Sequence, residues 1–320
     1  MTDLGLQIVP AMSASELVET VVAAEELGYS WCQVADEGLM PDPFVALATA
    51  AQRTSRIRLG PATNGYTRHP GATAAALATL DRVSGGRAFV TLVAGGTMVL
   101  NPLGIPRDRP GTVLIETMEI LRRLWTGETV SWEGRCFRLA GATLTVLPET
   151  PIPILVATRG ERLLAAAGSM ADGVILIAKA DLEDAFGIVN ASLSDRPFLR
   201  VYLDRLVYNE SMLAEAKALY SYVALDSPDR MLTNLGLSTS EIDSIRAAVT
   251  EGGAVGAAEL ITPEMIGSYQ IAGTPRECSR AVGELVEQYQ LDMFMLNVIS
   301  GGFESNLRLL EDVAEIVGST

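Results

Sequence analysis

The chain has 320 residues, of which 48% are apolar and 20% charged, with a formal net charge of -15. This length suits one α/β barrel, and the apolar share supports a large core and argues against disorder. The acidic balance disfavours DNA, RNA and anionic membranes as partners, because binding phosphates needs clustered Lys and Arg.

Apolar runs of strand length alternate with longer segments of helical period. Leu4–Val9 predicts a first strand. Ser13 and Glu16 form an S-x-x-E capping box, and a helix follows until Gly28. Trp31–Ala35 predicts a second strand, Met40–Asp42 a turn, and the Ala-rich stretch to about Ala51 a helix. Ile57–Ala62 is the third strand; Pro70 opens a helix that Gly85-Gly86 closes; Ala88–Val93 is the fourth strand. The helix over about Thr112–Trp125 lines up Leu114, Met118, Leu121 and Trp125 on one face. Thr126–Glu149 breaks the rhythm with two strand-like pieces around Gly134 and predicts an inserted hairpin. Strands at Ile154–Ala157, Gly173–Ile177 and Phe198–Tyr208 then alternate with helices at Glu161–Met170, Asp181–Val189 and Ser211–Val223. Asp226–Pro263 is irregular, helical in patches, and reads as a second insertion. A helix at Pro275–Tyr289, an eighth strand at Met293–Val298 and a helix at Asn306–Val317 complete the pattern.

Eight strand–helix units predict a closed (β/α)8 TIM barrel with right-handed crossovers. It reads as one domain over 1–320, with insertions near 126–149 and 226–263. The alternative is an open Rossmann-type sheet, but no G-x-G-x-x-G follows the first strand. Cys32, Cys136 and Cys278 are widely spaced without a C-x-x-C pair, and read as free thiols of a reducing compartment. Met1–Pro10 carries no basic region followed by a long apolar run, so no signal peptide is expected. No stretch approaches the roughly 18 uncharged apolar residues of a membrane span. The expected location is the cytoplasm.

In a barrel, function belongs at the C-terminal strand ends. After strand two come Asp36 and Glu37, a carboxylate pair able to serve as acid and base if burial raises one pKa; the alternative is a solvated loop. After strand three, Thr63, Asn64 and Tyr66 offer hydrogen bonds to the edge of a ring. His69, the only histidine, is more simply a packed turn residue than a catalyst. After strand four, Gly95, Gly96 and Thr97 leave room for a planar group. After strand five, Thr158-Arg159-Gly160-Glu161 opens a helix whose free N–H groups make an anion site. Lys179, just past strand six, can reach the same anion. No G-x-S-x-G, H-E-x-x-H or P-loop occurs. Such a mouth suits a bound organic cofactor that supplies the chemistry itself, with a small-molecule substrate.

The runs LGPATNGYTRHPGATAAALATLDRVSGGRA and PIPILVATRGERLLAAAGSMADGVI, with the stretch from Leu103 to Leu144 between them, resemble the luciferase-like flavin and deazaflavin oxidoreductases. The resemblance covers about Leu4–Ala180 and, more weakly, Ile271–Val317. It is greatest to the branch typified by methylenetetrahydromethanopterin reductase, which uses coenzyme F420. It implies a (β/α)8 barrel, usually homodimeric, with a non-prolyl cis peptide near Pro61-Ala62 backing the ring. It also implies a cofactor phosphate at Thr158–Glu161, touched by Lys179. Many relatives carry Asp-His after strand two, where this chain has Asp36-Glu37. The leading expectation is an F420-dependent oxidoreductase in which Asp36 and Glu37 act near the ring. The alternatives are an FMN-dependent monooxygenase fed by a partner reductase, and a non-catalytic flavin-binding barrel.

Overall fold

The computed structural model describes residues 2–299 and 302–318. Chain order begins β1 (Asp3–Ile8), α1 (Ala14–Glu26), β2 (Trp31–Ala35), α2 (Pro43–Ala51), β3 (Arg58–Thr63), α3 (Pro70–Ser84), β4 (Val90–Val93), α4 (Thr97–Leu100) and α5 (Pro110–Trp125). The hairpin β5 (Val130–Glu133) and β6 (Arg138–Ala142) follows, then β7 (Ile154–Ala157), α6 (Glu161–Met170), β8 (Gly173–Leu176), α7 (Leu182–Ser192) and β9 (Leu199–Asp204). The chain continues through α8 (Glu210–Asp226), α9 (Asp229–Asn234), α10 (Thr239–Ala257), α11 (Pro263–Tyr269), α12 (Pro275–Tyr289), β10 (Met293–Val298) and α13 (Phe303–Gly318). Eight strands, all but the hairpin pair, close into a parallel barrel in the order β1-β10-β9-β8-β7-β4-β3-β2. Among the described residues no helix is long and apolar enough to cross a membrane.

Local chemistry explains the elements. Ser13 and Glu16 cap α1 reciprocally, with Glu16 N donating to Ser13 Oγ at 3.3 Å and Ser13 N to Glu16 Oε2 at 3.1 Å. Asp42 caps α2, and Gly85 ends α3 in the left-handed region at φ 70°. The strands are apolar on both faces because each faces two layers. One set of side chains, including Leu6, Val34, Leu59 and Phe294, packs outward under the helices. The alternate set, Trp31, Phe89, Leu155, Ile175, Val201, Met293 and Met295, fills the barrel interior. Burying each such side chain stabilises by about 1.5–3 kcal/mol. Gly60 makes this plug possible: a Cβ there would lie 2.4 Å from the Phe89 carbonyl oxygen.

The expected cis peptide is a correction. No cis bond occurs among the described residues. Val34 and Ala35 pair in register with Pro61 and Ala62, and Ala62 pairs onward with Thr91. Ladders on both sides hold β3 extended through this point.

Two segments leave the barrel. The hairpin is pinned to α5 by buried Glu116, whose carboxylate accepts from the backbone N–H groups of Arg135 (2.7 Å), Cys136 (3.1 Å) and Phe137 (3.1 Å). The second segment spans 207–272 and closes on itself where Val207 and Ala272 form a parallel bridge. The helix at Ser211–Val223, which periodicity alone assigns to the barrel wall, belongs to this segment: α8 packs against α10 and α11. The wall position after β9 falls to α12, which packs against α7 and α13.

Candidate active site at the barrel mouth

The C-terminal strand ends converge on one mouth, and the 207–272 segment roofs part of it. Thr97 Oγ1, after β4, donates to Asp226 at 3.0 Å. Arg159 Nη1, after β7, donates to Ser227 Oγ at 2.9 Å. Arg230 Nη2 donates to Asp181 Oδ2, after β8, at 2.9 Å and to the Arg159 carbonyl at 3.2 Å. Asn234 Nδ2 bonds Asp181 and Asp184, each at 2.8 Å. At its other end the roof is tied by Asp204, a buried carboxylate on β9 that accepts from Tyr202 OH (2.6 Å), Ile271 N (2.8 Å) and Leu206 N (3.0 Å).

Asp36 and Glu37 stand together at the end of β2, both half-buried. Asp36 Oδ2 accepts the Thr63 hydroxyl at 2.7 Å, so Thr63 is committed to holding the carboxylate rather than facing a ligand. Burial, and after it the charge of Asp36, pushes the Glu37 carboxyl above the usual carboxylate range. The pair therefore combines a hydroxyl-anchored acceptor with a neighbour disposed to keep its proton. Asn64 Oδ1 accepts from Tyr66 N (2.8 Å) and Thr67 N (3.0 Å), an Asx turn that shapes the loop and leaves only its amide nitrogen for a ligand. Pro61 and Ala62 remain within β3.

Gly95 has φ 76°, and a Cβ on it would meet the Tyr66 ring at 3.0 Å and Leu100 at 3.1 Å. Its carbonyl accepts Arg107 Nε at 2.6 Å. Around Gly96 and Gly160 an added Cβ would meet nothing within 4 Å, so both leave open space at the mouth. Gly160 is the N-cap of α6 and no side chain caps that helix. The first N–H groups of α6 are thus free for an anion, beside Arg159, Thr158 and the roof's Arg230, with Glu161 exposed at the first turn. Lys179 is half-buried in the turn after β8. Its charge reaches Cys278 on α12, where it opposes the upward push of burial on that thiol. His69 accepts from Gly71 N at 3.1 Å as the N-cap of α3 and meets Phe137 edge-on at 5.5 Å, a packed turn residue.

Sequence reasoning missed a chain of amides below the mouth. Thr91 Oγ1 donates to Gln33 Oε1 at 2.6 Å, Gln33 Nε2 to Gln7 Oε1 at 2.6 Å, and Gln7 Nε2 to Asn297 Oδ1 at 3.0 Å. These residues come from β4, β2, β1 and β10. Each stands two positions beyond a residue of the interior plug layer (Phe89, Trp31, Gly5 and Met295), so all face the interior. The available signal was one uncharged polar residue inside each of four largely apolar strands. Arg230, Asp226 and Ser227 were also missed, because they reach the mouth only through the roof.

The model of the luciferase-like monooxygenase family matches residues 2–290. The chain is 30% identical to a 5,10-methylenetetrahydromethanopterin reductase of Archaeoglobus fulgidus over 296 residues, 88% of this chain and 89% of that one. It is 33% identical to an F420-dependent glucose-6-phosphate dehydrogenase of Nakamurella multipartita over 174 residues, 50% of this chain and 51% of that one. Among solved structures, the coenzyme F420-dependent tetrahydromethanopterin reductase of Methanopyrus kandleri superposes with a TM-score of 0.88 at 24% identity, covering 99% of both chains. A barrel with this mouth, and a family match over nearly its whole length, lead to one statement: the chain belongs to the luciferase-like monooxygenase family.

Proposed function

We propose that this chain is a coenzyme F420-dependent oxidoreductase, moving a hydride between the deazaflavin ring and a small organic substrate at the barrel mouth. The observation that carries this reading is likeness over 88% of the chain to a methylenetetrahydromethanopterin reductase, with F420 named in a relative and in a solved structure. The residues fit such a group. Gly96 leaves open space at the mouth beside the close-packed turn at Gly95, and the uncapped start of α6, Thr158–Glu161, offers a seat for a phosphate. When bound, the deazaflavin supplies hydride chemistry. The Asn64 amide and the Thr97 backbone would hold the ring edge, and Lys179 would add positive charge for the phosphate. Glu37, whose carboxyl burial pushes upward, would exchange a proton with the substrate, beside Asp36, which Thr63 holds in place. Leu39, Met40 and Val45 expose apolar surface along the stretch from β2 into α2, which supports a homodimer of the kind common in the family.

The test is a pair of anaerobic titrations of the purified protein, one with F420 and one with FMN, followed by cofactor fluorescence. F420 is expected to bind at least tenfold more tightly. Tight FMN binding with oxygen consumption when a reductase supplies reduced flavin, and no F420 binding, would overturn this reading in favour of a two-component monooxygenase. Sedimentation at micromolar concentration tests the dimer.

A further inference from the structure

The amide chain beneath the mouth has a direction. Its buried end is the Thr91 hydroxyl, which donates to Gln33; each following amide then presents a carbonyl to the residue before it and an N–H to the residue after. Gln33 and Thr91 are fully buried, whereas Gln7 and Asn297 are half-buried. Gln33 reaches Thr91 across β3 because its ladder partner there is Gly60, which places no side chain in its path. Asn297 ends the chain with its carbonyl oxygen used, and among the described residues nothing accepts from its Nδ2. That nitrogen is a free donor at the top of the barrel interior. No member of the chain is ionisable. Following the strand alternation, the interior-facing positions around it are Val9, Val93, Ala157, Ile177, Leu203 and Ile299, all apolar and half-buried.

We propose that Asn297, aimed by Gln7, Gln33 and Thr91, is the specificity-determining donor of the substrate site, and that it selects an uncharged acceptor oxygen, a carbonyl or a hydroxyl. An amide N–H on an apolar ring satisfies an acceptor and leaves no charge behind. A carboxylate entering the same ring would be desolvated with no cation in the chain to pair it, and an ammonium would meet a donor in place of an acceptor. This deepens the proposed function, because it rests on the mouth being the reaction site.

Gln7→Glu is the discriminating variant. The new carboxylate can only accept, so it keeps the bond from Gln33 and turns the Asn297 amide around to donate to it. The mouth then meets a carbonyl oxygen where an N–H had been. The readout is saturation-transfer NMR at pH 8 on four probes of one size, butan-2-one, butan-2-ol, butyrate and butylamine, with the F420-loaded and the cofactor-free protein. The wild type is expected to take the ketone and the alcohol and to leave the two charged probes. Gln7→Glu should weaken the ketone at least tenfold and leave the alcohol, which both donates and accepts, within about threefold. Asn297→Leu, which removes the donor and covers the freed Gln7 N–H with an apolar side chain, should weaken both. The proposal is overturned if Gln7→Glu keeps the ketone within twofold, if Asn297→Leu keeps both probes, or if the wild type takes a charged probe or none of the four. F420 titration reports separately: loss of cofactor binding sinks the proposed function, while the cofactor-free arm still decides the donor.

Discussion

The two segments that leave the barrel are held in contrasting ways. The hairpin is anchored by Glu116, buried and bonded to three consecutive backbone N–H groups, with Phe137 packed on His69 and Trp132 under Arg123. Burial works against the charge of Glu116, but those donors win and hold the carboxyl below the usual carboxylate range. The roof over 207–272 has a buried backbone seam at one end, around Asp204, and a set of partly exposed side-chain bonds at the other, around Arg230. A brace needs one strong anchor; a cover that admits ligands needs a firm hinge and a looser clasp. The clasp of side-chain bonds lies beside the uncapped start of α6, so whatever binds there meets the part of the roof most able to respond.

Substitutions separate hinge from clasp. Asp204→Ala strands the Tyr202 hydroxyl and the N–H groups of Ile271 and Leu206, and should cost about 3 kcal/mol in urea denaturation, with new proteolytic cuts inside 207–272; an unchanged midpoint would mean the seam is not the hinge. Arg230→Ala leaves buried Asp181 with Asn234 as partner and should cost about 1–3 kcal/mol. It should also speed deuterium exchange over 226–234 and weaken F420 binding several-fold, and slow exchange there would argue against a clasp. Glu116→Gln keeps the shape and removes the charge. A depressed folded pKa contributes stability that is present above the ordinary Glu pKa of about 4.3 and is lost as pH falls through the folded value. The variant should therefore melt lower than wild type at pH 7, and the gap should close as pH falls through the depressed folded value. Glu37→Gln should show the opposite and smaller pattern. Its raised folded pKa gives stability present at low pH and lost as pH rises through the folded value. The variant should melt slightly higher at pH 8 and equal to wild type at pH 4, while turnover with F420 falls at least tenfold; equal turnover would remove Glu37 from the reaction.

The barrel could be read from the chain because strands buried on both faces leave short unbroken apolar runs, and β2, β7, β10, α6 and α12 fall where those runs and periods put them. Helical period does not say what a helix packs on, which is why α8 passed for a wall helix when its apolar face meets α10 and α11. The pair Asp36 and Glu37 was found by its place at a strand end. The uses of Thr63 and Asn64 were not, since which partner takes a hydroxyl or an amide depends on neighbours far along the chain; Asp36 is 27 positions from Thr63. The amides Gln7, Gln33 and Asn297 stayed hidden for a related reason: in a strand buried on both faces, pattern alone does not reveal which face is the interior. Arg230 reaches the mouth from 71 positions beyond Arg159.

The roof enters and leaves the barrel through adjacent backbone: Val207 N bonds the Ile271 carbonyl at 2.9 Å and Gly273 N bonds the Val207 carbonyl at 3.0 Å. A segment whose two ends already touch can be exchanged at little cost in chain closure. The 207–272 stretch is thus a cassette, a part that descent or a protein engineer can swap for a longer, shorter or differently shaped cover while the barrel and its mouth stay as they are.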